Sequence, residues 1–481
     1  MPISTARLAQ RHAELGDAFY DVVAPAAFPK AIPRYRNQPW AERIGLGDLT
    51  EAEWIAHFGR FDPLPGSFPQ PLALRYHGHQ FRSYNPELGD GRGFLFAQAY
   101  DLADGRLLDL ATKGSGRTPW SRTADGRLTL KGGVREILAT GMLEALGVNT
   151  SKTFSLIETG EELERGDEPS PTRSAVLVRL SHSHIRIGSF QRFLALDEPD
   201  NILKLMDHTI RTHLPDLWRE AAPDRAVAFL EEVCRRVART GAQWMAAGFV
   251  HGVLNTDNIN VTGESFDYGP WRFVPVNDPA FTAAYFDVQG LYSFGRQPEA
   301  LFWNLSRLAE CLTPLAPQDG LEAALKLFGP ALQEAFANAL LARLGLARTD
   351  DDATHRFVAA FWGFLARSGA PFERTFFDWY GGLASAARAA ASPSAAFYAA
   401  EAFAPVRASL EAMAPVDAGR LAHPYFAGSG PCTMLIEEVE ALWAPIADGD
   451  DWSALHAKLA AIANMAEAYG TRAGPSAAAS A

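Results

Sequence analysis

The chain has 481 residues and carries 44 basic and 56 acidic side chains, giving a formal net charge of -12. This acidic balance argues against a broad surface for nucleic acids or anionic membranes, although a local basic pocket is compatible with it. A hydrophobic content of 48% with 21% charged residues is typical of a folded protein, and the length predicts two or three lobes or one large enzyme.

The spacing of the cysteines and the length of the apolar runs predict the cellular compartment of the protein. Cys234, Cys311 and Cys432 are scattered without the spacing of metal ligands, which favours a reducing environment. Neither the N-terminal residues nor any later stretch has the continuous apolar run of a secretion signal or a membrane span. We therefore expect a cytoplasmic protein that has neither nucleic-acid nor membrane partners.

Residues 1–70 predict an N-terminal extension that packs as a cap. They combine an amphipathic pattern at residues 8–20, interpreted as a short helix, with loops interrupted by proline. Nothing in them points to chemistry.

Residues 71–195 predict a β-rich nucleotide-binding lobe. Strand-like runs at 72–76, 94–98 and 107–111 are separated by turn signals, which predicts an antiparallel meander. Between the first two runs lies a turn with Gly89, Gly91 and Arg92, whose backbone amides have the room to approach phosphate closely. A turn that only reverses a hairpin is the alternative interpretation.

Charged residues follow these strands in an order typical of kinases. Lys113 follows the third run by two residues, and a helix predicted to begin near Gly133 carries Glu136 beside its apolar face. An ordinary exposed glutamate is the alternative for Glu136. Arg179 and Arg186 bracket a loop after another strand, which suits them to hold phosphate oxygens, although isolated arginines more often form surface salt bridges.

After residue 195 the pattern becomes helical. Helices are predicted at 201–217, 225–247 and 290–315, followed by alanine-rich segments up to 468 and a disordered tail at 469–481. The fold class that this order predicts is α+β, an atypical protein-kinase-like fold with a small β-rich lobe at 71–195 and a large helical lobe at 196–468.

Residues 250–269 form the stretch on which the functional interpretation depends. Kinase-like folds present a base, a metal-binding amide and a metal-binding carboxylate in the order of Asp257, Asn258 and Asp267. The spacing of aminoglycoside-kinase-like proteins, however, places Val253 at the catalytic aspartate, and valine cannot accept a proton. Either the chemistry has been lost or it has been rearranged around Asp257, and a surface loop rich in Asn and Asp is the third interpretation.

A set of long motifs in this order resembles the SelO family of protein adenylyltransferases over about residues 70–315. The motifs are Tyr76-His77-Gly78-His79-Gln80-Phe81, Gly89-Asp90-Gly91-Arg92-Gly93, Lys113-Gly114-Ser115-Gly116-Arg117-Thr118-Pro119-Trp120-Ser121-Arg122, Asp125-Gly126, Arg135-Glu136, Ser183-His184-Ile185-Arg186, His251-Gly252-Val253-Leu254-Asn255-Thr256-Asp257-Asn258, Asp267-Tyr268-Gly269-Pro270, Tyr292-Ser293-Phe294, Gln297-Pro298 and Trp303-Asn304-Leu305.

The resemblance implies a pseudokinase-like fold that binds ATP in an inverted orientation and transfers AMP to Ser, Thr or Tyr hydroxyls of proteins, releasing pyrophosphate. It also implies that Asp257 is the general base, that Asn258 and Asp267 hold Mg²⁺, with Mn²⁺ as an alternative, and that Glu136 orients Lys113 toward the triphosphate. The further residues of the nucleotide pocket that it implies are Gly89, Gly91, Arg92, Asp125, Gly126, Arg179, Arg186 and Asp267.

Two other functions stay open, and one departure from the family is visible. A kinase transferring the γ-phosphate shares the metal-binding pair, but Val253 counts against it; a non-catalytic ATP-binding scaffold leaves the retained Asp257 unexplained. Many family members have an Arg-Asn motif where residues 424–430 stand here, and a cysteine near the C-terminus, whereas no cysteine follows Cys432. Redox control through a terminal cysteine is therefore in doubt.

Overall fold

The structure is a computed structural model and describes residues 5–166 and 168–471. Its first part is rich in strands. In chain order the elements are β1 (Leu8–Ala9), β2 (Tyr20–Val22), β3 (Ile32–Arg36), α1 (Gln38–Arg43), α2 (Glu51–Phe58), β4 (Leu72–Leu74), β5 (Gly78–Gln80), β6 (Ser83–Asn85), β7 (Leu95–Tyr100), β8 (Leu107–Lys113), β9 (Leu128–Thr129), α3 (Leu130–Ala145), β10 (Lys152–Leu163), β11 (Thr172–Ser181) and α4 (Ile187–Ala195).

Most of these strands form one antiparallel sheet in the order β2-β4-β7-β8-β11-β10-β3, with β1 on β7 and β9 on β11. The predicted meander is confirmed, since β4 pairs with β7 and β7 pairs with β8. A small hairpin of β5 and β6, which was not predicted, lies between β4 and β7 in the chain. On the central pair, Arg179 lies opposite Ala111, two residues before Lys113, so Lys113 and Arg179 project from the same face.

The predicted helix at 8–20 is wrong. Leu8–Ala9 pairs with β7, residues 11–15 form a single 3-10 turn, and Tyr20–Val22 pairs with β4. Gly16, with φ of 84°, separates the turn from the second strand. Backbone hydrogen bonds to the sheet therefore outweigh the local helical pattern, as tertiary context commonly does.

The second part of the chain is mainly helical. In chain order its elements are α5 (Pro199–His213), α6 (Ala222–Ala247), β12 (Phe249–Val250), β13 (Arg272–Phe273), α7 (Gln297–Leu312), α8 (Gln318–Lys326), α9 (Phe328–Arg343), α10 (Asp351–Ser368), α11 (Phe372–Trp379), α12 (Ala386–Ala391), α13 (Ala395–Ala399), α14 (Ala404–Leu410), α15 (Ile436–Gly449) and α16 (Ser453–Tyr469).

The fold is thus mixed α and β, with a sheet-rich N-terminal part and a helical C-terminal part. The two parts share one hydrophobic core, in which Leu138 of α3, Phe229 of α6 and Met465 of α16 are all buried. The predicted helix at 290–315 begins only at Gln297. None of the described helices has both the length and the apolarity needed to cross a bilayer. Residues 472–481, which include most of the predicted tail, lie outside the described residues.

Candidate active site

Lys113 lies at the end of β8, on the sheet face covered by α3. Its ammonium group donates to Glu136 Oε1 at 2.5 Å and to Asp267 Oδ1 at 2.9 Å. Lys113 and Glu136 are both buried. Helix α3 places Glu136 here because its start is capped by Thr129, whose Oγ1 accepts from Gly132 N, and because its apolar side, including Val134 and Ile137, packs into the core. The predicted pairing of strand lysine and helix glutamate is present.

Asp267 connects three other side chains of the site. Its Oδ1 accepts from Lys113 and, at 3.1 Å, from Arg179 Nη1, while its Oδ2 accepts from Asn258 Nδ2 at 3.0 Å. Burial opposes ionisation of Asp267, but the positive charges of Lys113, Arg179 and Arg92 hold the pKa of its carboxyl well below its usual range. Asp267 also has a φ of 65°, an uncommon backbone conformation that concentrates at functional sites.

The loop between β12 and β13 positions Asp257, Asn258 and Asp267. His251 is fully buried, and its Nε2 lies 2.9 Å from the carbonyl oxygen of Phe266, next to Asp267. The backbone N–H of His251 donates to Gln297 Oε1 at the start of α7. The first contact holds the two ends of the loop together, and the second ties the loop to the helical part.

Asp257 lies in a single 3-10 turn formed by Thr256–Asn258. Its Oδ1 is buried and has no hydrogen-bond partner among the described residues. Burial raises the pKa of Asp257 to about 6; the charge of Arg186 opposes that rise and Asp267 adds to it. The result is a carboxylate with a free acceptor oxygen and a basicity suited to proton transfer near neutral pH.

The β5–β6 hairpin is clamped onto this turn. His79 N donates to Thr256 Oγ1 at 2.7 Å, and Phe81 N donates to Asn255 Oδ1 at 3.0 Å. A Cβ on Gly78 would lie 3.0 Å from Thr256 Oγ1 and 3.4 Å from Asp257 Oδ1. The sequence alone predicts no role for the motif at 76–81, because contacts between residues about 175 positions apart leave no local pattern.

Two buried guanidinium groups face the same region. Arg179 donates through Nε to His184 Nε2 at 3.1 Å, and its guanidinium lies 5.1 Å from the ring centre of Phe266. Arg186 lies 3.2 Å from Asp90 Oδ1 and 4.1 Å from the ring centre of Tyr76. Both arginines are thus held by fixed partners, as expected of phosphate-binding groups.

The glycine turn packs against the motif that contains Trp120. A Cβ on Gly89 would lie 2.3 Å from Trp120 Cγ, and one on Gly91 would lie 2.8 Å from the Trp120 carbonyl oxygen. Ser121 Oγ donates to Gly91 O at 2.5 Å. The glycines are therefore required for close packing, and the turn they form brings the charge of the exposed Arg92 to bear on Asp267.

Asp125 and Gly126 are placed differently from the other predicted residues. Gly126, with φ of 73°, accepts through its carbonyl oxygen from Gly116 N at 3.1 Å, in the turn that follows Lys113. Asp125 is exposed and pairs with Arg165 at 2.8 Å. Among the described residues no contact joins Asp125 to Lys113 or Asp267, so its predicted nucleotide contact stays a prediction.

Positive charge dominates around the two aspartates. Besides Lys113, Arg92, Arg179 and Arg186, the charge of Arg122 acts on Asp257. Arg122 belongs to one of the sequence motifs but not to the predicted site residues, and its φ of 53° is a signal visible only in the structure. Five cationic side chains thus lie near the carboxylates of Asp257, Asp267, Glu136 and Asp90, and this cluster of cations is suited to bind a polyanion.

The donor set bears on which metal the site would take. No group of three or more His, Cys, Asp or Glu side chains suited to a metal lies within residues 5–166 and 168–471. Asn258 and Asp267 supply only one amide oxygen and one carboxylate, and Nδ2 of Asn258 donates to Oδ2 of Asp267 at 3.0 Å. Mg²⁺ prefers oxygen ligands and commonly takes most of them from water and phosphate, so this small set fits a nucleotide-bound Mg²⁺ and does not fit a structural zinc.

Comparison with known proteins gives consistent matches. The family described as "Protein adenylyltransferase SelO" matches residues 2–463. A protein nucleotidyltransferase YdiU from Gloeobacter violaceus is 44% identical over 454 residues, which cover 92% of this chain and 91% of that protein. Proteins of the same name from Trichodesmium erythraeum and Synechocystis are 49% and 48% identical over 350 and 341 residues, covering 70% of this chain and 73% and 70% of those proteins.

Proposed function

The chain belongs to the SelO family of protein adenylyltransferases, and from this membership and the geometry of the site we propose that it transfers AMP from ATP to Ser, Thr or Tyr hydroxyls of proteins. The observation that carries the proposal is the position of Asp257. Its carboxylate has a free acceptor oxygen next to Asn258 and within the electrostatic reach of Asp267 and Arg186. The spacing that would place a kinase base at Val253 provides no proton acceptor there.

We extend the proposal to the architecture. The Lys113–Glu136 pair, joining the central strand β8 to α3, supports an atypical protein-kinase-like arrangement of a β-rich lobe at 71–195 and a helical lobe at 196–468. Residues 1–70 are the N-terminal extension of that arrangement. Their strands β1, β2 and β3 belong to the main sheet, so the extension completes the sheet of the β-rich lobe.

The nucleotide pocket uses charge to hold and orient the triphosphate. Lys113, Arg179 and Arg186 bind phosphate oxygens, with Arg92 and the backbone of the turn containing Gly89 and Gly91 at the rim. Such preorganised cations stabilise charge that spreads over phosphate oxygens during transfer. Glu136 keeps Lys113 in place, and Asp125 and Gly126 shape the neighbouring turn. ATP lies in an inverted orientation, which presents the α-phosphorus to the acceptor.

The transfer step is a substitution at the α-phosphorus. Asp257 accepts the proton of the acceptor hydroxyl while the hydroxyl oxygen forms a bond to the α-phosphorus, the bond from that phosphorus to the bridging oxygen breaks, and pyrophosphate leaves with the bonding electrons. Positioning accounts for most of the rate in such reactions. Asn258 and Asp267 would hold Mg²⁺, or Mn²⁺, whose charge would neutralise phosphate oxygens.

The test is a parallel incubation of the purified chain and mixed cell proteins with Mg²⁺ and ATP labelled at either the α- or the γ-phosphate. We expect label in protein from α-labelled ATP only. Label only from γ-labelled ATP would make the chain a kinase and contradict the proposal. Neither label, with ATP binding established by calorimetry, would favour the scaffold.

A further inference from the structure

An apolar surface lies beside the proposed catalytic turn and is not explained by nucleotide binding. In the segment 281–293, which forms neither α-helix nor strand, Tyr285, Phe286 and Val288 are 82%, 46% and 87% exposed. Phe81, at the tip of the β5–β6 hairpin, is 38% exposed. We call Phe81, Tyr285, Phe286 and Val288 the apolar platform.

The exposure of these side chains is built into the segment. Asp287, between two of the platform residues, is buried, and its carboxylate accepts from Leu291 N and Tyr292 N, both at 2.8 Å. Because Asp287 turns inward, Phe286 and Val288 on either side of it are exposed. Clustered apolar exposure of this kind is typical of an interaction site.

The platform is continuous with the turn that carries Asp257. The rings of Phe286 and Phe81 are 5.8 Å apart, and those of Phe81 and Tyr292 are 5.0 Å apart. The hydroxyl of Tyr292 donates to Asn255 Oδ1 at 2.8 Å, and the same oxygen accepts from Phe81 N at 3.0 Å. A ligand on the platform therefore lies next to the proposed proton acceptor.

The hairpin tip itself is strained. Phe81 and Arg82 have φ of 49° and 63°, the conformation that two-residue hairpin turns usually assign to Asn-Gly. A bulky residue there has an energetic cost, and such conformations persist where the surroundings fix them and cluster at ligand-binding sites. Here the strain presents the Phe81 ring to the surface, next to Phe286.

We propose that the apolar platform binds the acceptor protein, and that it selects an extended segment with a large apolar side chain near the hydroxyl that receives AMP. This inference rests on the proposed function. A hollow of about 670 Å³, lined by Tyr285, Val288, Pro279 and Thr282, offers room for such side chains.

The charges around the platform favour this occupant over an anionic surface. Arg82 and Arg296 both pair with Glu299, at 2.8 and 3.2 Å, and the charge of Asp287 also acts on Arg296, so two carboxylates balance the two guanidinium groups. A membrane-binding face commonly adds uncompensated basic residues to apolar ones. An apolar side chain of an extended segment can dock on such a surface and contribute affinity without a charged partner.

The test compares the wild-type chain with the double variant Tyr285→Ser/Val288→Ser. Both side chains are more than four-fifths exposed, so their replacement removes little core packing. With α-labelled ATP and mixed cell proteins at limiting concentration, we expect the initial rate of transfer to fall at least tenfold while the Kd for ATP changes less than twofold. Val416→Ser, which replaces an apolar residue that is 70% exposed elsewhere, is the matched control and keeps the wild-type rate.

Two synthetic 13-residue peptides define the chemistry of the occupant. Both have a central serine, flanked by Leu and Phe in one peptide and by Asn and Gln in the other. We expect the first to inhibit transfer to cell proteins by wild type, at least tenfold more strongly than the second. Equal inhibition by the two peptides would contradict the proposed selectivity. The same conclusion would follow if neither peptide inhibited transfer.

The remaining outcomes separate the inference from the function on which it rests. Wild-type transfer by the double variant would overturn the platform's role and leave the proposed function intact. A parallel loss of ATP affinity would also overturn it, because the platform would then act through the nucleotide pocket. No transfer of α-label by the wild type would reject the proposed function itself. Dimerisation, or binding to neutral phosphatidylcholine vesicles, that only the wild type displays would assign the platform to another occupant. If the double variant does not fold, Val288→Ser alone provides the comparison.

Discussion

The contacts of Lys113 show how neighbouring side chains orient a single charged group in the site. Its ammonium group lies between the carboxylates of Glu136 and Asp267, which orient it, and in the proposed function a nucleotide phosphate competes with them for this cation. The sequence predicted this pair, because a strand end followed by a helix with a buried face gives both positions a local signal. It could not predict that His184, whose ring lies between Arg179 and Asp109, keeps Arg179 in place, since these contacts are tertiary.

Replacing Lys113 tests the nucleotide pocket. Lys113→Met removes a charge-assisted contact to phosphate, and such contacts contribute about 1.5–3 kcal/mol, so we expect the Kd for ATP to rise roughly 10- to 100-fold. Isothermal titration calorimetry measures the change. Lys131→Met, on the same helix as Glu136 but paired with the more exposed Glu440, is the control and should leave the Kd unchanged. An unaltered Kd for Lys113→Met would mean that the lysine is purely structural.

Replacing Asp257 tests the proposed base separately from binding. Asp257→Asn retains the shape of the side chain but cannot accept the proton, and loss of a general base commonly lowers a rate by about 10²- to 10⁴-fold. We expect a loss of this order in AMP transfer with a change in the Kd for ATP of less than about threefold. Single-turnover kinetics with α-labelled ATP measures the rate. Transfer at the wild-type rate would show that another group takes the proton.

At the scale of elements, the β5–β6 hairpin is the part of the site that sequence reasoning did not find. The runs that became β4, β7 and β8 have alternation or apolar continuity, and the predictions for them are confirmed. The hairpin strands have three residues each and no apolar pattern, and they are ordered by the loop that carries Asp257 instead of by the main sheet. The helix prediction for residues 8–20 was wrong for the opposite reason. The local pattern there is helical, but strand pairing with the main sheet outweighs it.

Gly78 provides a test of the hairpin as a clamp. A Cβ there would meet Thr256 Oγ1 at 3.0 Å and Leu88 Cδ1 at 3.2 Å, and Val adds two further methyl groups. Val is a favourable strand residue, so Gly78→Val should displace the turn at 256–258 without unfolding the chain. Since small misplacements of reacting groups can cost about 10²-fold, we expect transfer to fall roughly 10- to 100-fold.

The measurement is the rate of AMP transfer with the unfolding temperature recorded beside it. Gly78→Ala is the graded control and should have a smaller effect, because its single methyl group needs only a slight shift of Thr256. Equal rates for all three proteins would show that the hairpin does not position Asp257.

At the scale of the whole molecule, the sheet-rich and helical parts meet around a group of histidines, of which His12, His182 and His213 are buried and His208 is partly buried. His12 follows β1, His182 follows β11, and His208 and His213 lie on α5. The His182 and His213 rings are 5.2 Å apart, and those of His12 and His208 are 6.2 Å apart. The sequence indicated a sheet-rich part before a helical part, but it could not show that imidazoles lie where the two parts meet, because His12 and His208 are almost 200 positions apart in the chain.

These histidines, which lie where the sheet-rich and helical parts meet, make the free energy of unfolding depend on pH. Burial lowers the pKa of His213 and of His208 to about 4, and that of His12 to about 3; Asp109 opposes the shift in each case. In the unfolded chain a histidine has a pKa of about 6.5. Between pH 6.5 and 4 the unfolded chain therefore binds protons that the folded chain does not, so the free energy of unfolding falls as the pH falls through this window and is retained above it.

We expect the free energy of unfolding in urea to decrease between pH 7.5 and pH 5 by roughly 1–2 kcal/mol for each buried histidine. The unperturbed carboxyl groups of the unfolded chain contribute little in this range, because their pKa values lie near 4.

His213→Gln removes one of the buried imidazoles, so the same pH change should lower the free energy of unfolding of this variant by less. His355→Gln, which replaces an exposed histidine of α10, should keep the wild-type dependence. If His213→Gln lost as much stability on acidification as the wild type, this group of histidines would not be the site of the pH dependence, and protonation elsewhere in the chain would have to account for it.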